Sequence, residues 1–129
     1  MHEPQPEPDD LEGQLTVTSS THAHAIVVAA AGEIDVLTAP RLSAALEPAL
    51  HHAAADNVIV CDLTGVTFLA SHGIELLLRA TEQAQEMRRT LRVVITPSQV
   101  NVSRSLELTG VDRVLALYPS LDEAVNGQH

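Results

Sequence analysis

A serine between an apolar strand and a helix is the residue whose chemistry most needs explaining. Residues 58–63 form an apolar run too short for a helix, and the apolar spacing becomes helical at Ile74, Leu77 and Leu78. Ser71 therefore lies at the start of the predicted helix. The first turn of a helix has backbone N–H groups without intrahelical partners and carries the positive end of the helix dipole. A negative group on the Ser71 hydroxyl would be tolerated there.

Two other interpretations of Ser71 follow from the residue types. The hydroxyl could cap the helix, which does not exclude its modification. It could also be a hydrolase nucleophile. A Ser between a strand and a helix, with Gly73 two positions later, matches half of the Gly-x-Ser-x-Gly nucleophile-elbow motif. In the other half, Leu69 replaces the first glycine and the only histidine well downstream is His129. We therefore expect that the protein is not an enzyme.

Other reactive side chains give weaker signals. Cys61, the single cysteine, lies inside an apolar strand and is expected to be buried and unreactive. His22 and His24 share one face of a strand, but no carboxylate or cysteine lies at ligand spacing, so no metal site is predicted. The sequence contains neither the phosphate-loop nor the dinucleotide-binding glycine motif, and no cofactor is expected.

The overall charge limits the classes of partner. Seven Lys and Arg residues stand against 17 Asp and Glu residues, and the formal charge of −10 argues against binding to nucleic acid. No apolar run reaches the ~18 residues of a membrane span. The first 13 residues are acidic and proline-rich, unlike a secretory signal. A cytoplasmic protein without a membrane span is the expectation.

The apolar spacing predicts one α/β domain. Residues 1–13 are predicted to be a disordered tail, and residues 14–126 the folded domain. Strands that alternate with helices pair in parallel, and an N-terminal hairpin adds an antiparallel pair. The prediction is therefore a mixed sheet covered by about four helices. Its elements are hairpin strands 14–19 and 26–31, helix 38–52, strand 58–63, helix 71–89, strand 91–95, helix 101–108, strand 114–117 and helix 120–126.

Several local details are also predicted. Gly32 should end the hairpin, Thr64 and Gly65 should form a turn, and Thr38 should cap the first helix. Thr109 and Gly110 should stop the helix of residues 101–108, and Ser120, with Glu123 three residues later, should cap the last helix. Pro48 should kink that helix or divide it into two pieces. The core between the central strand and the second helix should contain Val58, Val60, Leu63, Leu77 and Leu78.

Five motifs in order along the chain resemble the STAS domain of bacterial anti-sigma factor antagonists. The resemblance covers about Leu15 to Val125, nearly the whole predicted domain. The motifs are Gly32-Glu33-Ile34-Asp35, Thr38-Ala39-Pro40-Arg41-Leu42, Val60-Cys61-Asp62-Leu63-Thr64-Gly65-Val66-Thr67-Phe68-Leu69, Ser71-x-Gly73 and Leu108-Thr109-Gly110-Val111-Asp112-Arg113.

The resemblance implies a partner-switching protein of a bacterial stress response. Such a protein binds an anti-sigma factor, a serine kinase of the ATPase fold, and so frees a sigma factor. Phosphorylation at Ser71 would end that binding, and a PP2C-type phosphatase would restore it. The resemblance places Asp35, Thr38, Ser71, His72 and Gly73 at the partner-binding site.

Two positions depart from the family pattern. The family usually has Asp-Ser-Ser/Thr-Gly at the switch, and this chain has Ala70-Ser71-His72-Gly73. An alternative is therefore a non-switching STAS scaffold subunit of a signalling or lipid-transport complex. Asp35 matches the acidic residue near the switch serine, and it could also be a carboxylate that merely ends a strand.

Overall fold

A computed structural model describes residues 14–127, and the predicted tail of residues 1–13 lies outside them. The described residues form five strands, four α-helices and one 3₁₀ helix. In chain order these are β1 (Leu15–His22), β2 (Ala25–Ile34), α1 (Ala39–His52), β3 (Val58–Leu69), α2 (Ser71–Glu86), β4 (Leu91–Val94), α3 (Val100–Thr109), the 3₁₀ helix (Val111–Arg113), β5 (Ala116–Tyr118) and α4 (Leu121–Asn126).

The strands form one sheet in the order β1-β2-β3-β4-β5. The β1–β2 pair is antiparallel, and the other three pairs are parallel. Strands β2 to β5 are each separated by a helix, and a helical crossover allows neighbouring strands to run in the same direction. The predicted α/β class, the mixed sheet and its N-terminal hairpin are confirmed.

The two faces of the sheet bury different cores. On β3, Cys61 and Leu63 face the larger core, where α1, α2 and α3 pack and where Leu77 is fully buried. Val60 faces the smaller core under α4, and Val58 packs at its margin. The prediction that Val58 and Val60 pack against α2 was wrong, because side chains alternate along a strand. Leu78, also predicted there, is half-buried against the larger core.

The first three strands are longer than predicted, and the last two are one residue shorter. The hairpin turns at Ala23 and His24, and β2 continues through Gly32, which has a φ of +118°. A Cβ at Gly32 would collide with the Gln14 carbonyl oxygen, so only glycine fits. The predicted turn at Thr64 and Gly65 is instead a bulge within β3, where the pairing with β2 shifts register.

The helices also differ in detail from the predictions. Pro48 lies inside a continuous α1, so the division into two pieces was wrong. The second helix ends at Glu86, before Arg88 and Arg89. Arg88 has a φ of +60°, and the Arg89 guanidinium donates hydrogen bonds to the carbonyls of Ala53 and Ala54, just after α1.

The ends of the last two helices follow the sequence signals. Gly110 ends α3 in the left-handed conformation with a φ of +75°, as predicted for its stop. Ser120 Oγ accepts a hydrogen bond of 3.1 Å from the Glu123 backbone N–H at the start of α4. The predicted capping serine is therefore confirmed.

Replacing Leu77 tests the position of the larger core. Leu77→Ala should lower the free energy of unfolding by about 2–5 kcal/mol, because the side chain is fully buried and its removal leaves a cavity. Chemical denaturation measures this change. Leu108→Ala is the control, since Leu108 is 81% exposed and its loss should cost less than about 0.5 kcal/mol. Equal effects of the two variants would contradict this core assignment.

Candidate functional site

The predicted site residues lie together where β2 and β3 end, because the carboxyl ends of these parallel strands are neighbours. Ile34 pairs with Leu69 at the end of the ladder. The Ala70 backbone N–H donates a 2.9 Å hydrogen bond to the Ile34 carbonyl, which extends the contact one step beyond the strands. The loop that begins at Asp35 and the turn that leads into Ser71 therefore lie side by side.

Asp35 and Thr38 hold the loop between β2 and α1 in one conformation. Asp35 Oδ1 accepts 3.0 Å hydrogen bonds from the N–H groups of Leu37 and Thr38. Thr38 Oγ1 accepts a 2.9 Å bond from the Asp35 N–H and donates a 2.8 Å bond to the Glu33 carbonyl. Thr38 occupies the N-cap position of α1 as predicted, but its hydroxyl accepts no hydrogen bond from the first turn of the helix, because it bonds within the loop instead. Thr38 is buried and closes the loop from inside.

Ser71 is the first residue of α2, and Ala70 occupies the cap position in an extended conformation. The interpretation of Ser71 as the helix cap was therefore wrong. The Ser71 side chain is exposed, and its hydroxyl makes no hydrogen bond with another residue in the range 14–127. The structure thus presents a free hydroxyl at the positive end of a helix dipole.

Gly73 allows α2 to begin so close to the strand ends. A Cβ at this position would lie 2.5 Å from Leu69 Cδ1 and 2.7 Å from Ile34 Cγ2. Both distances are too short for real carbon contacts, so a larger residue would push α2 and Ser71 outward. His72, by contrast, is exposed beside Ser71. Of the two residues after Ser71, His72 can touch a partner and Gly73 sets the position of the helix.

Three exposed apolar side chains from the adjoining segments were missed by the sequence reasoning. Val36 is 57% exposed, Leu37 is 64% exposed and Phe68 is 50% exposed. Val36 and Leu37 follow Asp35 directly, and Phe68 comes just before Leu69. A groove between α1 and α2 continues from Val36 past His72. We call Val36, Leu37, Phe68, Ser71 and His72 the strand-end face.

The signal for these three residues was weak in the sequence. Val36 and Leu37 are an apolar pair in a segment predicted as a loop, where apolar side chains have less reason to be buried. Phe68 lies in an apolar segment that reads equally well as core. Only the fold shows which side of the strand it occupies.

Cys61 lies in the larger core and not at the strand-end face. Its burial, and secondarily the negative charge of Asp62, raises the pKa of the Cys61 thiol to about 12. The thiol is therefore protonated at neutral pH, and the prediction that Cys61 is buried is confirmed.

The histidine pair of the hairpin and the lengths of the helices bear on two other predictions. His22 and His24 are exposed in the hairpin. Within residues 14–127, no group of three or more His, Cys, Asp or Glu side chains could hold a metal ion. None of the helices described in that range is long and apolar enough to cross a membrane.

A family model described as "Mlab, STAS domain" matches residues 17–119. The chain belongs to the STAS domain family. The anti-sigma-F factor antagonist RsfB of Mycobacterium tuberculosis is 32% identical to this STAS domain over 115 residues, which cover 88% of each chain. The resemblance predicted from the motifs is confirmed.

Solved structures resemble this STAS domain over most of its length. An anti-sigma factor antagonist from Mycobacterium paratuberculosis aligns with a TM-score of 0.75 and 33% identity, covering 85% of this chain and 90% of that one. The unphosphorylated form of the anti-sigma factor antagonist SpoIIAA aligns with a TM-score of 0.68 and 16% identity, covering 86% of this chain and 94% of that one. The SpoIIAA comparison supports the fold alone.

Removing the Thr38 hydroxyl tests the loop of this STAS domain. Thr38→Val keeps the shape of the buried side chain but leaves the Asp35 N–H and the Glu33 carbonyl without their partner. The free energy of unfolding should fall by about 1–3 kcal/mol, the cost of unpaired buried groups. Thr16→Val on exposed β1 is the matched control and should change it by less than about 0.5 kcal/mol. A neutral Thr38→Val would show that the hydroxyl does not secure the loop.

Proposed function

We propose that this protein is an anti-sigma factor antagonist that acts in a bacterial cytoplasm. It binds an anti-sigma factor through the strand-end face and thereby frees a sigma factor. The observation that carries the proposal is the exposed, unbonded Ser71 hydroxyl at the start of α2, next to segments that carry the exposed apolar side chains Val36, Leu37 and Phe68. The names of the Mycobacterium tuberculosis relative and of the Mycobacterium paratuberculosis structure support it.

The chemistry of the strand-end face fits a protein partner. Protein interfaces are anchored by apolar and aromatic side chains at their centre, and Val36, Leu37 and Phe68 supply such side chains. The loop that carries Val36 and Leu37 is fixed by the hydrogen bonds of Asp35 and Thr38. A fixed loop loses little conformational freedom on binding, which favours affinity.

Phosphorylation at Ser71 would switch this face off. A phosphate adds about −1.5 to −2 charges, which the amino end of α2 tolerates, so the fold survives the modification. A partner packed over Val36, Leu37 and Phe68 would then have to cover a hydrated dianion. Desolvating that charge without a counter-charge is costly, and the partner would be released.

The partner implied by this switch is an anti-sigma factor that is itself a serine kinase of the ATPase fold. A PP2C-type phosphatase would reverse the modification. His72 lies next to Ser71 and is exposed. When protonated, His72 would pair with the phosphate and slow its removal.

Replacing Ser71 tests the switch. Ser71→Ala should bind the kinase with ATP present and never release it, because no phosphate can be added. Ser71→Asp should bind at least about ten-fold more weakly, since a charge would be desolvated in the interface. Titration calorimetry measures both affinities. Thr90→Asp is the control. Thr90 is exposed and directly precedes β4, so it lies at the amino ends of the parallel strands, opposite the strand-end face. Equal affinities for Ser71→Asp and Thr90→Asp would contradict this proposal.

Asp35 is tested with a variant that keeps its role in the loop. Asp35→Ala would remove the acceptor for two N–H groups and so destabilise the loop itself. Asp35→Asn retains an oxygen at that position and removes only the charge. Calorimetry should show weaker kinase binding by Asp35→Asn with a nearly unchanged melting temperature. Unchanged affinity would remove the Asp35 charge from the partner-binding site and leave it a loop residue.

The second candidate function is a STAS scaffold that binds its partner without switching. Ala70 and His72 favour it, since they replace the acid and the hydroxyl that flank the serine in the family pattern. Incubation with the cognate kinase and ATP, followed by phosphate mapping by mass spectrometry, separates the two functions. Phosphate on Ser71 supports the switch. Absence of phosphate with a demonstrably active kinase supports the scaffold.

A further inference from the structure

β1 leaves one long edge of the sheet open. Among the described residues, the sheet begins at β1 and ends at β5. β5 has only three residues, which is one way in which proteins protect a sheet edge, whereas β1 has eight. β1 pairs with β2 in eight consecutive residue pairs without a bulge, so its outer edge is regular. Such an edge presents unpaired backbone N–H and C=O groups to another strand.

The usual protections of an open edge are missing from β1. Its sequence, Leu-Thr-Val-Thr-Ser-Ser-Thr-His, contains no proline, glycine, lysine or carboxylate. Arg41 of α1 donates to the carbonyl of Leu15, the first residue of β1. Residues 18–22 are all exposed. The strand therefore resembles an edge that is covered by another chain.

We propose that β1 pairs with β1 of a second copy of this chain, antiparallel across a two-fold axis near Thr18 and Ser19. The pairing joins two five-stranded sheets into one continuous sheet. An antiparallel strand pair is self-complementary, so the same residues meet on both sides of the axis. The neighbours across the axis are threonine and serine, and such cross-strand pairs are favourable.

The charge distribution favours a second copy as the occupant. The protein carries a formal charge of −10, but residues 14–32 contain no Asp, Glu, Lys or Arg. The hairpin is therefore a surface on which two acidic molecules can meet without placing charges against each other. Its strand residues are mostly β-branched or small, which suits pairing with a strand of the same composition.

The proposed dimer leaves both strand-end faces free. β1 begins beside Gly32, near the carboxyl end of β2, where the strand-end face lies. A two-fold axis at the middle of β1 sends the two faces to opposite ends of the dimer. Dimerisation and the proposed partner binding therefore use separate surfaces, and neither depends on the other.

Sedimentation velocity and hydrogen exchange on the full chain test the pairing. With rising concentration, the mass should approach twice the 13.8 kDa of one chain, and the amides of β1 should become more protected. A monomer at every concentration would overturn the proposal. Protection of β1 in a chain that sediments as a monomer would also overturn it, because the edge would then be covered without a second copy.

Charge substitutions locate the dimer contact. Thr18→Lys and Ser19→Lys each place two like charges close to the axis and should weaken the dimer about ten-fold or more. Both side chains are exposed, so the monomer should keep its melting temperature. Gln85→Lys, on the exposed side of α2, is the control with the same change in net charge and should leave the dimer intact. A dimer that survives both β1 substitutions, or that Gln85→Lys also weakens, would overturn the proposal.

Discussion

The hydrogen bond from the Ala70 N–H to the Ile34 carbonyl, 2.9 Å long, is the contact on which the candidate site depends. It continues the β2–β3 ladder by one residue and fixes where the chain turns into α2. Because Gly73 has no side chain, the helix can start directly over Ile34 and Leu69. Ser71 is consequently held beside the β2–α1 loop by backbone geometry, and its own side chain takes no part in placing it.

The loop between β2 and α1, on the other side of the site, is also held in place by hydrogen bonds to its backbone. The side chains of Asp35 and Thr38 form hydrogen bonds with backbone groups of the loop, and Thr38 is buried. A buried and fully bonded Thr38 stabilises one loop conformation, since any alternative would leave polar groups unpaired. Val36 and Leu37 therefore stay exposed, whereas a loop without these hydrogen bonds could turn their side chains toward the core. The fold thus keeps apolar side chains exposed on the loop that adjoins the Ser71 turn.

Much of the fold could be predicted, because the spacing of apolar residues along the chain distinguishes helices from strands. The helical spacing after Ser71 and the short apolar runs gave the correct order of strands and helices. The sides of β3 could not be assigned, because Val60 and Cys61 are both buried, each in a different core, and an apolar run does not distinguish two buried faces. The bulge at Gly65 and the exposure of Phe68 depend on pairing with β2, which no local pattern encodes. Ser71 was found from its position, whereas its exposed apolar neighbours required the tertiary structure.

Ala70 affects the relative stability of the unmodified site and of the site with a phosphate on Ser71. It occupies the cap position of α2, where the family pattern has an aspartate that could accept a hydrogen bond from the first turn. With alanine there, the amino end of α2 lacks a side-chain acceptor, which leaves the unmodified start of the helix less stabilised by about 0.5–2 kcal/mol. A phosphate on Ser71 would supply negative charge at the same helix end and would meet no neighbouring carboxylate from residue 70. Relative to an aspartate at this position, Ala70 would therefore favour a phosphorylated form of this chain over the unmodified one, independently of how well a kinase recognises the loop.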